Sequence, residues 1–504
     1  MKTILPALLA AITLALTAQT AHAAVPKPNF ANIGAYRQEL EASRDPQARA
    51  ILKEIDNGPA DLKRALNQAN EDPYTRQRID QVSVQLTLTV MPQSASLKAL
   101  RHRINDSMAR DTPQPPLTGN ADVLYEKLDI QHQKENIGFP LYGESLGIAY
   151  RLTPAQYAAL YAVLRAHPRY FQTMLQATQE PRNELCASLD GFDSENAYLR
   201  EVARDLTTWS MLLAHEDRYD AALTMQKRVL AVARQADYQP GQINVLVADA
   251  IDGIAVSGFR NLLLVHPDDA AFDRRVRAVA QSVQPADPIA GLRGDAPVMY
   301  GLLETALLSV SHMTQSGLDD AFSLTPQHSS KPLTQADRRF VSDLIQASAA
   351  RYIDWTNSLR TVHAQDGALY RNGRLVSVST ILPKHADDPD DPVTELIGLA
   401  TFGAKRDQLF LAQMHQAFCA AENDILAAAA TVLARRAQIG SLPSTLKGDF
   451  RDPLNHDKPF VYERFATGFT IRSAATPGQL GVGWPMPYFR YPPPQPKAVP
   501  ADLE

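Results

Sequence analysis

From Thr153-Pro154 to Gly440 the apolar residues recur at helical spacing, with no strand–helix alternation that could build a parallel sheet. This constrains the chain to a mainly α fold: a multi-helical, hairpin-like (α-α) body with small β-hairpin elements. A threonine cap with proline at the first helical position opens a helix over 155–166. Residues 198–236 read as two helices joined near Glu216-Asp217-Arg218. Residues 242–265 form one long apolar helix, which Asp249, Asp252 and Arg260 disqualify as a membrane span. Further helices are expected at 296–313, 334–361, 392–416 and 418–439.

Outside this body the signals are shorter. Residues 30–70 carry helical spacing that Asn57-Gly58-Pro59 is expected to break. Val82, Val84, Leu86, Leu88 and Val90 alternate with polar residues, which predicts one half-buried strand ended by Pro92. Within the body, Asn372-Gly373 is the pair that a type I′ hairpin turn requires. Phe460-Val461-Tyr462 and Phe469-Thr470-Ile471 flank a second turn containing Gly468. The expected organisation is a signal peptide at 1–23, an N-terminal helical region with one strand at 24–110, and a Pro/Gly-rich connection at 111–152. The helical body follows at 153–440, a small β-hairpin appendage at 441–484, and an extended or disordered proline-rich tail at 485–504.

Lys2, a short apolar run over residues 4–16 and Ala21-His22-Ala23 together match a cleavable secretory signal. The expected location is therefore periplasmic or secreted, with no integral membrane segment in the mature chain. A formal net charge of −5 with no long basic run argues against nucleic acid as a partner. The two cysteines, Cys186 and Cys419, would have one connectivity in an oxidising compartment, so a disulfide between them is expected. Two buried free thiols are the alternative.

Few residues carry possible chemistry. Gly143-Glu144-Ser145-Leu146-Gly147 fits the G-x-S-x-G nucleophile elbow, but Asn136-Ile137-Gly138-Phe139-Pro140 before it makes a poor strand. Asp249 and Asp252, three apart on the most apolar helix, share a face, with Arg260 two turns on from Asp252. Buried carboxylates of this kind acquire raised pKa values suited to acid–base work. Glu304 and Glu395 are similar lone acids, and in an all-helical toroid such groups could flank a glycosidic bond. Three tryptophans are few for a sugar cleft, however. Asp249, Asp252 and Glu304 are the catalytic candidates. The twelve histidines show no metal-ligand spacing, so neither a metal nor a cofactor is expected. Asp387-Asp388-Pro389-Asp390-Asp391 reads as a solvated acidic loop, and the P-x-x-P at 493–496 as part of a floppy tail.

Two stretches resemble known patterns. Asp217-Arg218-Tyr219-Asp220-Ala221-Ala222-Leu223, with small Ser210 and Ala222 where two helices must approach, resembles the turn of a single tetratricopeptide-type hairpin over 203–236. The run from the alanine-rich segment 420–437 through Gly440-Ser441-Leu442-Pro443, Asp452-Pro453, Lys458-Pro459-Phe460-Val461-Tyr462 and Gly468-Phe469-Thr470-Ile471-Arg472-Ser473 resembles the C-terminal segment of exported bacterial helical proteins. Type II secretion pseudopilins have a similar DP…P..Y pattern. The resemblance implies two short strands folding back on a long helix and transfers no activity. Two function classes follow. The first is a non-catalytic periplasmic interaction or scaffold protein, with an envelope protein as its partner. The alternative is an envelope-polymer hydrolase or lyase using acids on apolar helices.

Overall fold

The structure, a computed structural model, describes residues 25–29, 32–69, 119–139, 152–181, 183, 192–238, 242–283, 286, 333–366, 391–393, 406–446, 448, 450–455, 458–476 and 486–493. Among them the protein is mainly helical, with eleven α-helices and five short antiparallel strands. The expected signal peptide, the strand at 82–90, the hairpin at 370–375 and the helix at 296–313 lie outside the described residues, as do Ser145, Cys186, Glu304 and Glu395.

The chain divides into two compact units. The first holds α1 (Ile33–Ala42), α2 (Pro46–Ala69) and the part of α10 (Gln335–Asp366) up to Thr361. Sequence reading assigns α10 to the contiguous helical body, whereas here it shares a core with the N-terminal helices. That core comprises Ile33, Tyr36, Leu40, Ile51 and Ile55 with Phe340, Val341, Leu344 and Ile345. Ion pairs recur along the same contact: Arg37 meets Asp337 at 3.0 Å and Arg64 meets Asp354 at 2.8 Å. The expected break at Asn57-Gly58-Pro59 does not occur. Helix α2 runs through it for 24 residues with Pro59 inside. Interior proline costs a helix about 3 kcal/mol, and burial of the α2 apolar face against α10 offsets it. Gly58 is a contact glycine, for a Cβ there would lie 2.3 Å from the Asp343 carbonyl oxygen.

The second unit contains α3 (Asp122–Glu135), α4 (Pro154–Ala166), α5 (Pro168–Ala177), α6 (Phe192–His215), α7 (Tyr219–Ala236), α8 (Gln242–Val265), α9 (Ala270–Ala280), α11 (Arg406–Ile439) from Leu409 on, and all the strands. Helix α3 falls inside the expected Pro/Gly-rich connection: Tyr125 and Leu128 sit one turn apart and bury a single face. Thr153 and Gln156 form a capping box at the start of α4, with Pro154 in the first turn. Helices α6 and α7 make the expected hairpin. Asp217 adopts positive φ in the turn, and the Ser210 hydroxyl donates to the Ala222 carbonyl at 2.9 Å where the helices approach. Helix α11 is one unbroken helix of 34 residues across position 417, where two were expected. Its stretch Met414–Ile439 is long and apolar enough to cross a membrane by length and composition. Yet 78% of its most apolar window is buried inside the fold, the environment of a core helix.

Beyond α11 the chain turns at Asp452, where β1 (Arg451–Asp452) pairs with β2 (Lys458–Pro459). A three-stranded antiparallel sheet follows: β3 (Val461–Phe465), β4 (Gly468–Arg472) and β5 (Tyr488–Tyr491), in that order. The β3–β4 hairpin stands where the runs at 460–462 and 469–471 placed it, with Gly468 as the first residue of β4, directly after the turn. Strand β5 comes from the segment expected as a tail: Phe489 is buried with Phe469 and Ile471, and β4 supplies its backbone partners. The Arg436 guanidinium lies over the Tyr491 ring at 4.8 Å, joining the sheet to α11.

Asp452 organises this region. Fully buried, it accepts from Leu454 N–H at 3.1 Å through Oδ1, and from the Ser473 hydroxyl (2.9 Å) and Ala474 N–H (2.8 Å) through Oδ2. Asp452→Ala leaves these buried donors unmet, each costing about 1–3 kcal/mol before relaxation. The expected result is a lower urea midpoint for Asp452→Ala, with Asp452→Asn losing less because its one carbonyl oxygen still accepts. Equal losses for both would show that charge, not acceptor geometry, is what matters here.

Candidate functional site

Helix α8 is apolar around most of its circumference, yet it carries Asp249 and Asp252 three residues apart on one face. Both are buried, at 3% and 6% exposure. Around them stand Arg234 and Asp237 at the end of α7, Arg260 further along α8, and Cys419 and Glu422 on α11. Burial pushes the Asp249 carboxyl up to about 8, and Asp252 beside it adds to the effect. The backbone N–H of Ala286 approaches and offsets part of this. At full hydrogen-bond geometry neither Asp249 carboxylate oxygen has a partner among the described residues. Asp252 is pushed by burial to about 7, with Arg234 opposing and Asp237 adding. Burial also raises Glu422, against the pull of Arg260.

Cys419 is a free, buried cysteine, so the expected disulfide is not formed at this residue. Its Sγ donates to the Asp249 carbonyl at 3.8 Å, and burial raises the thiol well above its ordinary value. Such a group is a packed thiol, without the thiolate character of a nucleophile.

The sequence-predicted pair thus comes together, and an unanticipated third acid, Glu422 of α11, shares Cys419 with it as a neighbour. Access to the pair is narrow. A small recess of about 330 Å³, measured to its open mouth, is lined by Leu230, Ala248, Val283, Arg234, Asp237 and Asp252, and Asp249 is not among its lining residues. A carboxyl that is neutral near pH 7 can serve as a general acid only if a substrate reaches it. Among the described residues no group of three His, Cys, Asp or Glu side chains is placed to hold a metal ion.

Other buried acids escaped sequence reasoning. Asp205 accepts from Phe139 N–H at 3.3 Å and is pushed to about 7, chiefly by burial. Asp273 is fully buried and pushed to about 8, with Asp269 and Asp268 adding and Arg274 and Arg436 opposing. Each sits on a helix with several surface charges, so nothing in the spacing marks it as inward. Asp391 leaves the expected solvated loop: it is buried, pairs with Arg351 and accepts from Val393 N–H at 3.0 Å.

A different surface stands out on α4. Seven of its thirteen residues are exposed (Pro154, Ala155, Ala158, Tyr161, Ala162, Arg165 and Ala166), and Leu160 is its one buried side chain. The Arg165 guanidinium lies 5.3 Å over the Tyr161 ring, Tyr161 stacks on Tyr157 at 5.7 Å, and Tyr157 packs at a tilt against His215 at 4.7 Å. The Tyr157 hydroxyl donates to Glu216 at 2.7 Å, which lowers the Glu216 carboxyl and fixes the ladder to the α6–α7 turn. Sequence reading registers α4 as a helix, but its near absence of charge was the sign that it is unlike an ordinary surface helix. Comparison with family models, with curated proteins and with solved structures gives no match for this chain.

Proposed function

We propose that the protein is an exported, non-catalytic interaction protein, and that a partner protein docks on the α4 face. The observation that carries this reading is the mismatch between what α4 is made of and what it buries. Tyr and Arg are the side chains that most often anchor interfaces. Here they are held by stacking and by the Tyr157–Glu216 hydrogen bond, so little rotamer freedom remains to be lost on binding. The alanines beside them let another helix approach closely. Arg165 is the only charged residue of α4 and makes no ion pair among the described residues. The complementary partner therefore presents an apolar helical face with an acidic residue. A second copy fits less well, because antiparallel pairing would set Arg165 against the positive end of the other α4. Export rests on the composition of residues 1–23.

The test places a photo-crosslinking amino acid at Ala158, at Ala162 or, as a control on α7, at exposed Lys227, in cells producing the full chain. Adducts of one size are expected from the two α4 positions and not from Lys227, and Tyr161→Glu is expected to remove them without changing the helical circular dichroism. The enzyme reading gains instead if no adduct forms and the purified protein releases envelope-polymer fragments, with release abolished by Asp249→Asn plus Asp252→Asn.

A further inference from the structure

We infer that the contact between α8 and α11 around Cys419 is a pH-gated joint, closed while Asp249, Asp252 and Glu422 carry protons and loosened when they ionise. This goes beyond the proposed interaction role and does not depend on it.

The charges facing the joint come from three helices. Helix α7 supplies Arg234 and Asp237, α8 supplies Asp249, Asp252 and Arg260, and α11 supplies Glu422 and the Cys419 thiol. His415, one turn before Cys419 on α11, has its pKa lowered by burial, which favours its neutral form. With Asp249, Asp252 and Glu422 protonated, one carboxylate, Asp237, faces two guanidiniums. With all of them ionised, four carboxylates face the same two guanidiniums, and Asp249 and Asp252 carry their charges on buried side chains. Buried like charges repel more strongly than exposed ones, because less solvent screens them.

The joint is also poorly tied by hydrogen bonds. Both Asp249 carboxylate oxygens, Gln416 Oε1 and both amide atoms of Asn423 lack partners among the described residues. Gln416, Cys419 and Asn423 recur at helical spacing on α11, so the unmet groups share the stripe that carries the thiol. Each buried polar group left unmet costs the closed state the hydration that it regains on opening.

The sign follows from linkage. A carboxyl whose pKa is raised in the closed state holds its proton there and loses it in the open state, where its pKa returns to the ordinary range near 4. Closure is therefore at full strength at acid pH and weakens as pH rises. Each such group costs the closing equilibrium up to about tenfold per pH unit. The loss stops once pH passes the closed-state values near 7 and 8 of Asp252 and Asp249.

Cys419 reports the state of the joint, since reagent reaches it only when α11 moves. The experiment uses the full chain with Cys186→Ser, labelled by a pyridyl disulfide reagent, with each rate divided by that of glutathione at the same pH. This division removes the rise in thiolate fraction. The normalised rate is expected to climb at least about 100-fold between roughly pH 5.5 and 8.5 and then level off. With Asp249→Asn, Asp252→Asn and Glu422→Gln together, amides that imitate the protonated acids, the climb is expected to shrink to within about threefold. A flat wild-type profile overturns the proposal, and so does a climb that the triple variant retains. Should the variant misfold, amide hydrogen exchange of residues 414–425 in the wild-type chain decides. Protection corrected for intrinsic exchange must fall over the same pH range, and constant protection overturns the joint.

Discussion

Gly58→Ala is expected to destabilise the protein by about 2–4 kcal/mol, although alanine is the better helix former by about 1 kcal/mol. Gly58 sits inside α2 and is buried. An added Cβ would meet the Asp343 carbonyl oxygen at 2.3 Å and the Ala347 nitrogen at 2.7 Å, both on the backbone of α10. Backbone of a neighbouring helix cannot swing aside as the end of a side chain can. The helices must separate, and the shared core of Ile51, Ile55, Leu344 and Ile345 loosens with them. Gly253 in α8 is the matching control, since a Cβ there meets nothing within 4 Å. Gly253→Ala is expected to stabilise by up to about 1 kcal/mol. Urea unfolding of the three chains measures both effects, and opposite signs are the result that matters. If both glycines respond as propensity alone dictates, the close approach of α2 to α10 is wrong.

These two glycines show where the sequence stops being legible. Helix spacing, caps and the two short runs that flank the β3–β4 turn are local properties, and a single strand of sequence displays them. Thr153 with Pro154, the Asp217 turn and the Gly468 hairpin are legible for this reason. Gly58 next to Pro59 looks locally like a stop, because the reason it is glycine lies some 285 residues away at Asp343. Strand β5 was hidden in the same way: its prolines suggest a tail, while its alternation is short and its partner β4 is supplied by the fold. The acid pair on α8 was visible because an ionisable residue in an apolar run is conspicuous. Glu422, in the alanine-rich α11, carried the same kind of mark. Asp205 and Asp273 lie among charged neighbours, and only the packing tells which carboxylate faces inward.

The same distance problem governs the first unit's ion network, where the second large effect is expected. Arg351, on α10, reaches Glu54 on α2 with Nη2 at 2.6 and 2.7 Å from the two carboxylate oxygens and Nε at 3.0 Å, and its Nη1 pairs with Asp391. The two acids differ in what happens when the arginine goes. Glu54 is 38% exposed and regains water, whereas Asp391 is 6% exposed and keeps its charge in the interior. Asp391 is also held where it is, since its Oδ1 accepts from Val393 N–H, and the Val393 carbonyl accepts from the Ser348 hydroxyl at 3.1 Å. Removing one partner of a buried pair costs about 3–5 kcal/mol, mostly through the charge left behind. Arg351→Met, which keeps the apolar stem, is expected to fall in that range at neutral pH. Arg351→Met with Asp391→Asn is expected to recover more than half of the loss, because the amide oxygen keeps the Val393 contact and no bare charge remains. Arg351→Met with Glu54→Gln is expected to recover little. The urea midpoints of the four chains separate two accounts of Arg351. Rescue confined to Asp391→Asn means that it neutralises a buried charge. No rescue by either amide means that its contribution is the packing of its stem and the bidentate clasp on α2.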